Sequence, residues 1–152
     1  MKKITFILLA LISGTAFAQS ASADGQVNAK IVSPISIKAG ATLNFGSITP
    51  NQGIVVVKPE GYDATNTTAT VVSDNLPSAG SFDVTAANTY NYSVTLPGTV
   101  ILSTSDGATL TLTDLNHNSS ELGTGTIETF NVGGTLYVAD SQPVGNYSGT
   151  VT

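Results

Sequence analysis

The sequence predicts an all-β fold, an antiparallel sandwich or barrel, from three observations. Apolar residues recur at every second position, and turn-forming residues punctuate the chain at short intervals. No stretch of helical length carries a 3.6-residue apolar stripe, and the abundant Thr, Val, Gly and Asn disfavour helix. Many short strands at close spacing are the pattern of a two-layer β-domain.

The alternation is clearest near the start. Ala21, Ala23, Gly25, Val27, Ala29 and Ile31 hold the odd positions, while Ser20, Ser22, Asp24, Gln26, Asn28 and Lys30 hold the even ones. Successive side chains of a strand point to opposite faces, so this stretch has one small apolar face and one polar face. Ile35 and Ile37 resume the odd phase after Ser33-Pro34. Further strands are expected over Thr42 to Ile48, Ile54 to Val57, Thr68 to Val72, Ser81 to Ala86 and Tyr90 to Leu96. The series continues with Thr99 to Leu102, Ala108 to Leu112, Thr126 to Val132 and Thr135 to Val138. Turns are expected at Pro59-Glu60-Gly61, Leu76-Pro77, Pro97-Gly98, Gly133-Gly134 and Pro143-Val144-Gly145. Asp106-Gly107 suits a tight hairpin, because Gly tolerates positive φ. Long polar loops are expected over Asp63 to Thr70 and Asn116 to Gly125. A last strand begins at Tyr147, Gly149 and Val151, and the pattern predicts that it is cut short at Thr152.

Residues 1–18 read as a secretory signal peptide. Lys2 and Lys3 precede an apolar run from Ile4 to Leu11, and Ala16-Phe17-Ala18 supplies a small-x-small cleavage pattern. Ala21-Ser22-Ala23 is a second site of the same type. The apolar run is too short for a membrane anchor and lacks stop-transfer charges. The expected organisation is therefore a signal over 1–18 and a single β-domain over 19–152, with no membrane span after cleavage. The expected location is the periplasm, the cell surface or the extracellular space.

Composition narrows the chemistry. Only 10% of the 152 residues are charged, and the net charge of −5 becomes −7 once Lys2 and Lys3 are removed. That sign disfavours nucleic acid as a partner. There is no Cys, hence no disulfide, thiolate metal site or cysteine nucleophile. No Gly-x-Ser-x-Gly elbow occurs, and Ser73-Asp74-Asn75 has no accompanying Ser-x-x-Lys, so it reads as a turn. His117, the one histidine, falls in an expected polar loop without an identifiable catalytic partner. Asp114, Asn116 and Asn118 copy the first ligands of a calcium loop, but Ser119 and Gly125 stand where its Gly and Glu belong. Gly123-Thr124-Gly125 lacks the third Gly of a dinucleotide fingerprint. Asn66, Asn91, Asn118 and Asn146 form Asn-x-Ser/Thr sequons, as chance allows in so Asn-, Ser- and Thr-rich a chain. No catalytic residue, metal ligand or cofactor is expected.

Four blocks together resemble an exported bacterial family, domain of unknown function 4402. They are Leu43-Asn-Phe45-Gly46-Ser-Ile48-Thr-Pro50, Tyr92-Ser-Val94-Thr-Leu96-Pro97, Gly133-Gly134-Thr-Leu136-Tyr-Val138 and Gly145-Asn-Tyr147-Ser-Gly149-Thr. Asn28 to Ile35 resembles the family's opening. More distantly the chain resembles spore-coat U domains and the pilins of archaic chaperone–usher fimbriae. The resemblance implies an immunoglobulin-like or pilin-like antiparallel β-sandwich. It also implies a mechanism, in which a sandwich open along one edge accepts a strand from another subunit. Ala21, Ala23, Gly25, Val27, Ala29 and Ile31 form the candidate strand-exchange face, with the domain's own first strand as the competing reading. The expected function is a non-enzymatic exported structural or surface subunit, fimbria-like, with identical subunits or a periplasmic chaperone as partners. The alternative is a monomeric secreted binding module for carbohydrate or a matrix polymer, contacting it through Tyr62, Tyr90, Tyr92, Tyr137 and Tyr147.

Overall fold

The computed structural model describes residues 20–72 and 74–152. The signal-peptide reading over 1–18 lies outside these residues. By its internal contacts the chain divides into two units, Met1–Ile31 and Val32–Thr152. In the first, Ser20 to Ile31 carries no strand and is exposed throughout.

The second unit is all-β and antiparallel, and no helix occurs among the described residues. The strands are β1 (Ser36–Ala39), β2 (Ser47–Ile48), β3 (Gly53–Lys58), β4 (Gly61–Tyr62) and β5 (Val71–Val72). They continue with β6 (Gly80–Thr85), β7 (Thr99–Ser103), β8 (Thr109–His117) and β9 (Ile127–Val138). Seven of them form one sheet, in which β1, β6, β9, β3 and β4 follow in order and β8 and β7 branch from β9. β2 and β5 form a separate two-stranded sheet.

β9 organises the molecule. One of its edges pairs with β6 from Ile127 to Val132 and then with β3 from Gly134 to Val138. Its other edge carries β8. The change of partner falls at Gly133-Gly134, which the sequence pattern marks as a turn but which lies inside one continuous 12-residue strand. A Cβ on Gly133 would overlap the Val57 carbonyl oxygen and lie 2.8 Å from Lys58 Cα. Only glycine allows the end of β3 to approach this closely. β8 bends at the same level. Thr113 faces Thr135 and Asn116 faces Gly133, so β8 spends one extra residue there. That is a β-bulge, with Asp114 at φ 51°.

The even-numbered face of β9 serves two cores. Leu136 and Val138 join Val55, Val57, Val100, Leu110, Leu112, Ala69 and Phe45 in the larger. Phe45 arrives on the segment before β2, and partly buried Ile48 and Val71 come from β2 and β5. Phe130 and Val132 join Val84 in the smaller core, with Phe82 stacked on Phe130 at a centroid distance of 5.6 Å. Leu115, displaced by the bulge, packs against both.

Tyr92, Val94 and Leu96 cover the smaller core. Their alternation predicts a strand, yet no strand forms over Tyr90 to Leu96. Tyr92 N–H donates to the Glu121 carbonyl, while Val94 N–H donates to the Glu121 carboxylate at 2.7 Å. A side chain thus takes one place in the ladder that backbone would fill.

Other expectations change in detail. The strand expected over Thr42 to Ile48 shrinks to β2, because Gly46 at φ 75° turns the chain. Thr68 to Val72 shrinks to β5. Asn116 and His117 belong to β8 rather than to a polar loop. The Asp106-Gly107 hairpin between β7 and β8 forms as expected, with Gly107 at φ 85°.

Candidate functional site

A groove of about 750 Å³ opens over the larger core. Thr42 to Pro50 forms one wall and Gln142 to Gly149 the other, while Leu102, Leu110, Leu136 and Val138 lie at its base. The first wall is held by its turn at Gly46. Asn44 exchanges backbone hydrogen bonds with Ser78, its side-chain oxygen accepts Gly46 N–H at 3.0 Å, and Ser47 N–H donates to the Asn75 carbonyl.

Two hydrogen bonds to β7 hold the second wall: Ser148 N–H to Ser103 O at 3.1 Å and Ser103 N–H to Ser148 O at 2.9 Å. The Tyr147 hydroxyl donates to the Pro143 carbonyl at 2.6 Å and accepts from Gln142 Nε2 at 2.8 Å. Gln142 Nε2 also donates to the Thr109 carbonyl. These contacts tie the wall back to the start of β8. The lining contains no Asp, Glu, Lys, Arg or His. It offers apolar surface, amides and hydroxyls, which suit an uncharged occupant.

The proposed strand-exchange face lies on a different part of the chain. Along Ser20 to Ile31 the alternating residues remain exposed, with Val27 at 94% and Ile31 at 97% of full exposure. The odd phase continues through Ile35, which is 55% exposed, and Ile37 on β1, which is 63% exposed. Ser33-Pro34 interrupts the run, and Pro has no N–H to donate to a ladder.

The profile of a known family, Domain of unknown function (DUF4402), matches residues 35–152. The chain belongs to that family. Comparison with curated proteins and with solved structures yields no match. The groove lies wholly within the matched DUF4402 region, whereas Ser20 to Ile31 precedes it.

The remaining candidate residues of this DUF4402 domain are placed separately. His117 is half-buried at the end of β8, edge-on to Phe130, and its Nδ1 accepts Ser119 N–H. Asp114 lies in the bulge, and Asn116 and Asn118 follow it. Asn116 Nδ2 donates to the Asp114 carbonyl, and Asn118 Oδ1 accepts Asn131 N–H at 2.7 Å. Among the described residues no group of three or more His, Cys, Asp or Glu is placed to hold a metal ion. No described helix is long and apolar enough to cross a membrane.

The tyrosines are divided. Tyr62 and Tyr147 pack on the larger core and Tyr92 on the smaller, while Tyr90 and Tyr137 are exposed at 44% and 49%. One further polar cluster, which no sequence motif marks, lies at the β3–β4 hairpin. Lys58 Nζ lies 2.6 Å from Asp63, whose carboxylate also accepts Thr65 N–H, Asn66 N–H and Asn66 Nδ2. Hydrogen bonding to Lys58 and then to Asn66 holds the Asp63 carboxyl well below the usual carboxylate range. The same pairing raises Lys58. The groove's two walls contain two of the blocks that carry the family resemblance, Leu43 to Pro50 and Gly145 to Gly149, but they come from segments far apart in the chain, and no motif predicts that they face each other.

Proposed function

We propose that this chain is a non-enzymatic, exported structural or surface subunit that assembles in a fimbria-like manner by strand exchange. Under this reading the DUF4402 domain is a pilin-like sandwich, its partner is an identical copy, and Ser20 to Ile31 is the exchanged segment. One observation carries the reading. A segment with the period of a strand has no strand, and it leaves Val27 and Ile31 almost fully exposed. Burying such a side chain contributes roughly 1.5–3 kcal/mol, and a lone strand gains stability only by pairing. Three of the five tyrosines pack against the cores, which favours assembly over a tyrosine-lined sugar site.

The test is the assembly state of the purified full-length chain, read by SDS-resistant species and electron microscopy. Assemblies are expected, and Val27→Asp with Ile31→Asp should abolish them while leaving the circular dichroism spectrum of the domain unchanged. A chain that stays monomeric at every concentration overturns the reading.

A further inference from the structure

We infer that His117 is an acid-sensitive latch on the cover of the smaller core: it holds Tyr92 to Leu96 closed while its Nδ1 carries no proton and releases them when it takes one up. The inference is independent of the assembly reading.

Side chains hold this cover in place of a sheet ladder. Tyr92 N–H donates to the Glu121 carbonyl at 3.0 Å, and Val94 N–H donates to Glu121 Oε1 at 2.7 Å. The Tyr92 hydroxyl is bonded to Ser119 Oγ at 2.9 Å, and the same oxygen accepts Glu121 N–H at 3.2 Å. Ser119 N–H in turn donates to His117 Nδ1 at 3.2 Å. The contacts thus run from His117 through Ser119 to Glu121 and the cover. Glu121 sits at φ 55°, a left-handed backbone that non-glycine residues seldom adopt. Such a conformation persists only while its surroundings impose it, and Ser119 is the residue that holds the Glu121 N–H.

His117 faces Val132 in register and lies edge-on to Phe130, with ring centroids 6.0 Å apart. In this position Nδ1 serves as an acceptor. A proton there replaces the lone pair with an N–H aimed at the Ser119 N–H. Half a turn of the ring presents Cδ2 instead, which accepts nothing. Either way Ser119 N–H loses its partner in a half-buried site, where an unpaired donor is costly. Asn118 stays tied to Asn131 by two hydrogen bonds, so release is confined to the segment beyond it. Opening uncovers Val84, Phe130 and Val132.

The other titratable groups around the latch are acids and a phenol. Glu121 and the Tyr92 hydroxyl belong to it. Glu128 lies on the same face of β9 beyond Phe130, with Oε2 buried and without a hydrogen-bond partner. Asp83 of β6 is bonded to Thr129 on the opposite face, with Lys38 of β1 beside it in register, and Asp114 is exposed in the bulge of β8. Histidine is the side chain that ordinarily changes charge between about pH 8 and 5, and the chain has one.

Hydrogen exchange of the full-length chain, followed by NMR with each rate divided by the intrinsic rate at its pH, reads the cover directly. Between about pH 7.5 and 5.5, protection of the Tyr92 and Val94 amides should fall about tenfold, the scale of one hydrogen bond lost from such a site. Leu136, in the β3–β9 pairing, should hold steady. His117→Asn offers a side-chain oxygen in place of Nδ1 and takes up no proton, so the fall should vanish. Glu121→Gln and Glu128→Gln keep His117 and should keep the fall. A parent whose cover does not respond overturns the inference. So does a fall that persists in His117→Asn, disappears in either Gln variant or is matched at Leu136. Should His117→Asn fail to fold, the parent still decides: the ring protons of His117 and the N–H of Ser119 should shift with one midpoint. A Ser119 resonance that stays fixed while His117 titrates overturns the latch.

Discussion

The two halves of β9 share a strand and a face but not a neighbourhood. From Gly134 to Val138 the strand lies between β3 and β8, and its Leu136 packs into a core drawn from both sheets. From Ile127 to Val132 it pairs with β6, and a segment without strand structure covers Phe130 and Val132. A strand flanked on both edges holds its side chains in fixed positions. A core roofed by Tyr92, Val94 and Leu96 can settle when a side chain is removed. From this difference we expect one alternating sequence to build a more rigid region and a more adaptable one, depending on what is placed opposite it.

The largest expected effect contrasts these halves directly. Leu136→Ala should cost about 4 kcal/mol of unfolding free energy, near the upper part of the range for buried Leu. Phe130→Ala should cost about 3 kcal/mol, although the removed side chain is larger, because the roof can collapse onto the space. Urea denaturation of both variants checks this. A Phe130 variant clearly less stable than the Leu136 variant would show that the smaller core is the more rigid one.

The junction between the halves gives the next effect. At Gly133, Ala would drive its Cβ against the Val57 carbonyl and the Lys58 backbone. The destabilisation should be about 2–3 kcal/mol, the scale of overpacking. Hydrogen exchange should then show faster opening of the β3–β9 pairing, from Gly53 to Val57, than of the β6–β9 pairing. Uniform loosening along β9 would mean that the two halves are not separable.

Much of this architecture is legible in the sequence where parity is clean. Ile54 to Val57 and Ser81 to Ala86 become β3 and β6 nearly residue for residue, because each sits mid-sheet with one face buried. Gly133-Gly134 misleads because glycine marks close backbone approach as readily as it marks a turn, and only the tertiary partner distinguishes the two. Tyr90 to Leu96 misleads because alternation reports a covered face, not a hydrogen-bonded ladder; the Glu121 carboxylate that intervenes has no local signal. β4 is too short, at two residues, to show a period. The alternating face of the candidate site is visible as Ala21 to Ile31. The groove's wall segments are visible as two of the family blocks, but their juxtaposition is not, since it depends on how Gly46 and the Gln142–Tyr147 contacts place two remote segments.

The smallest effect concerns the end of β3 that meets the junction. The Lys58–Asp63 contact closes the β3–β4 hairpin beside the Lys58 backbone, which Gly133 approaches. The folded state lowers the Asp63 carboxyl, so folding favours its ionised form. This contribution is fully present above the unfolded-state pKa, near 4 for an aspartate. It is lost as pH falls below that value through the folded-state titration. Asp63→Asn keeps a side-chain oxygen for the Thr65 and Asn66 amides but removes the charge that holds Lys58. The variant should be less stable than the parent at pH 7, and the gap should shrink as pH falls from about 4 toward 2. Urea midpoints across that range measure it, and added salt should narrow the gap at pH 7 because the Lys58 side chain is 54% exposed. A constant gap would assign the stabilisation to the neutral hydrogen bonds of the turn. The contact would then hold the loop but not the end of β3, leaving Gly133 as the element that keeps the two halves of β9 apart.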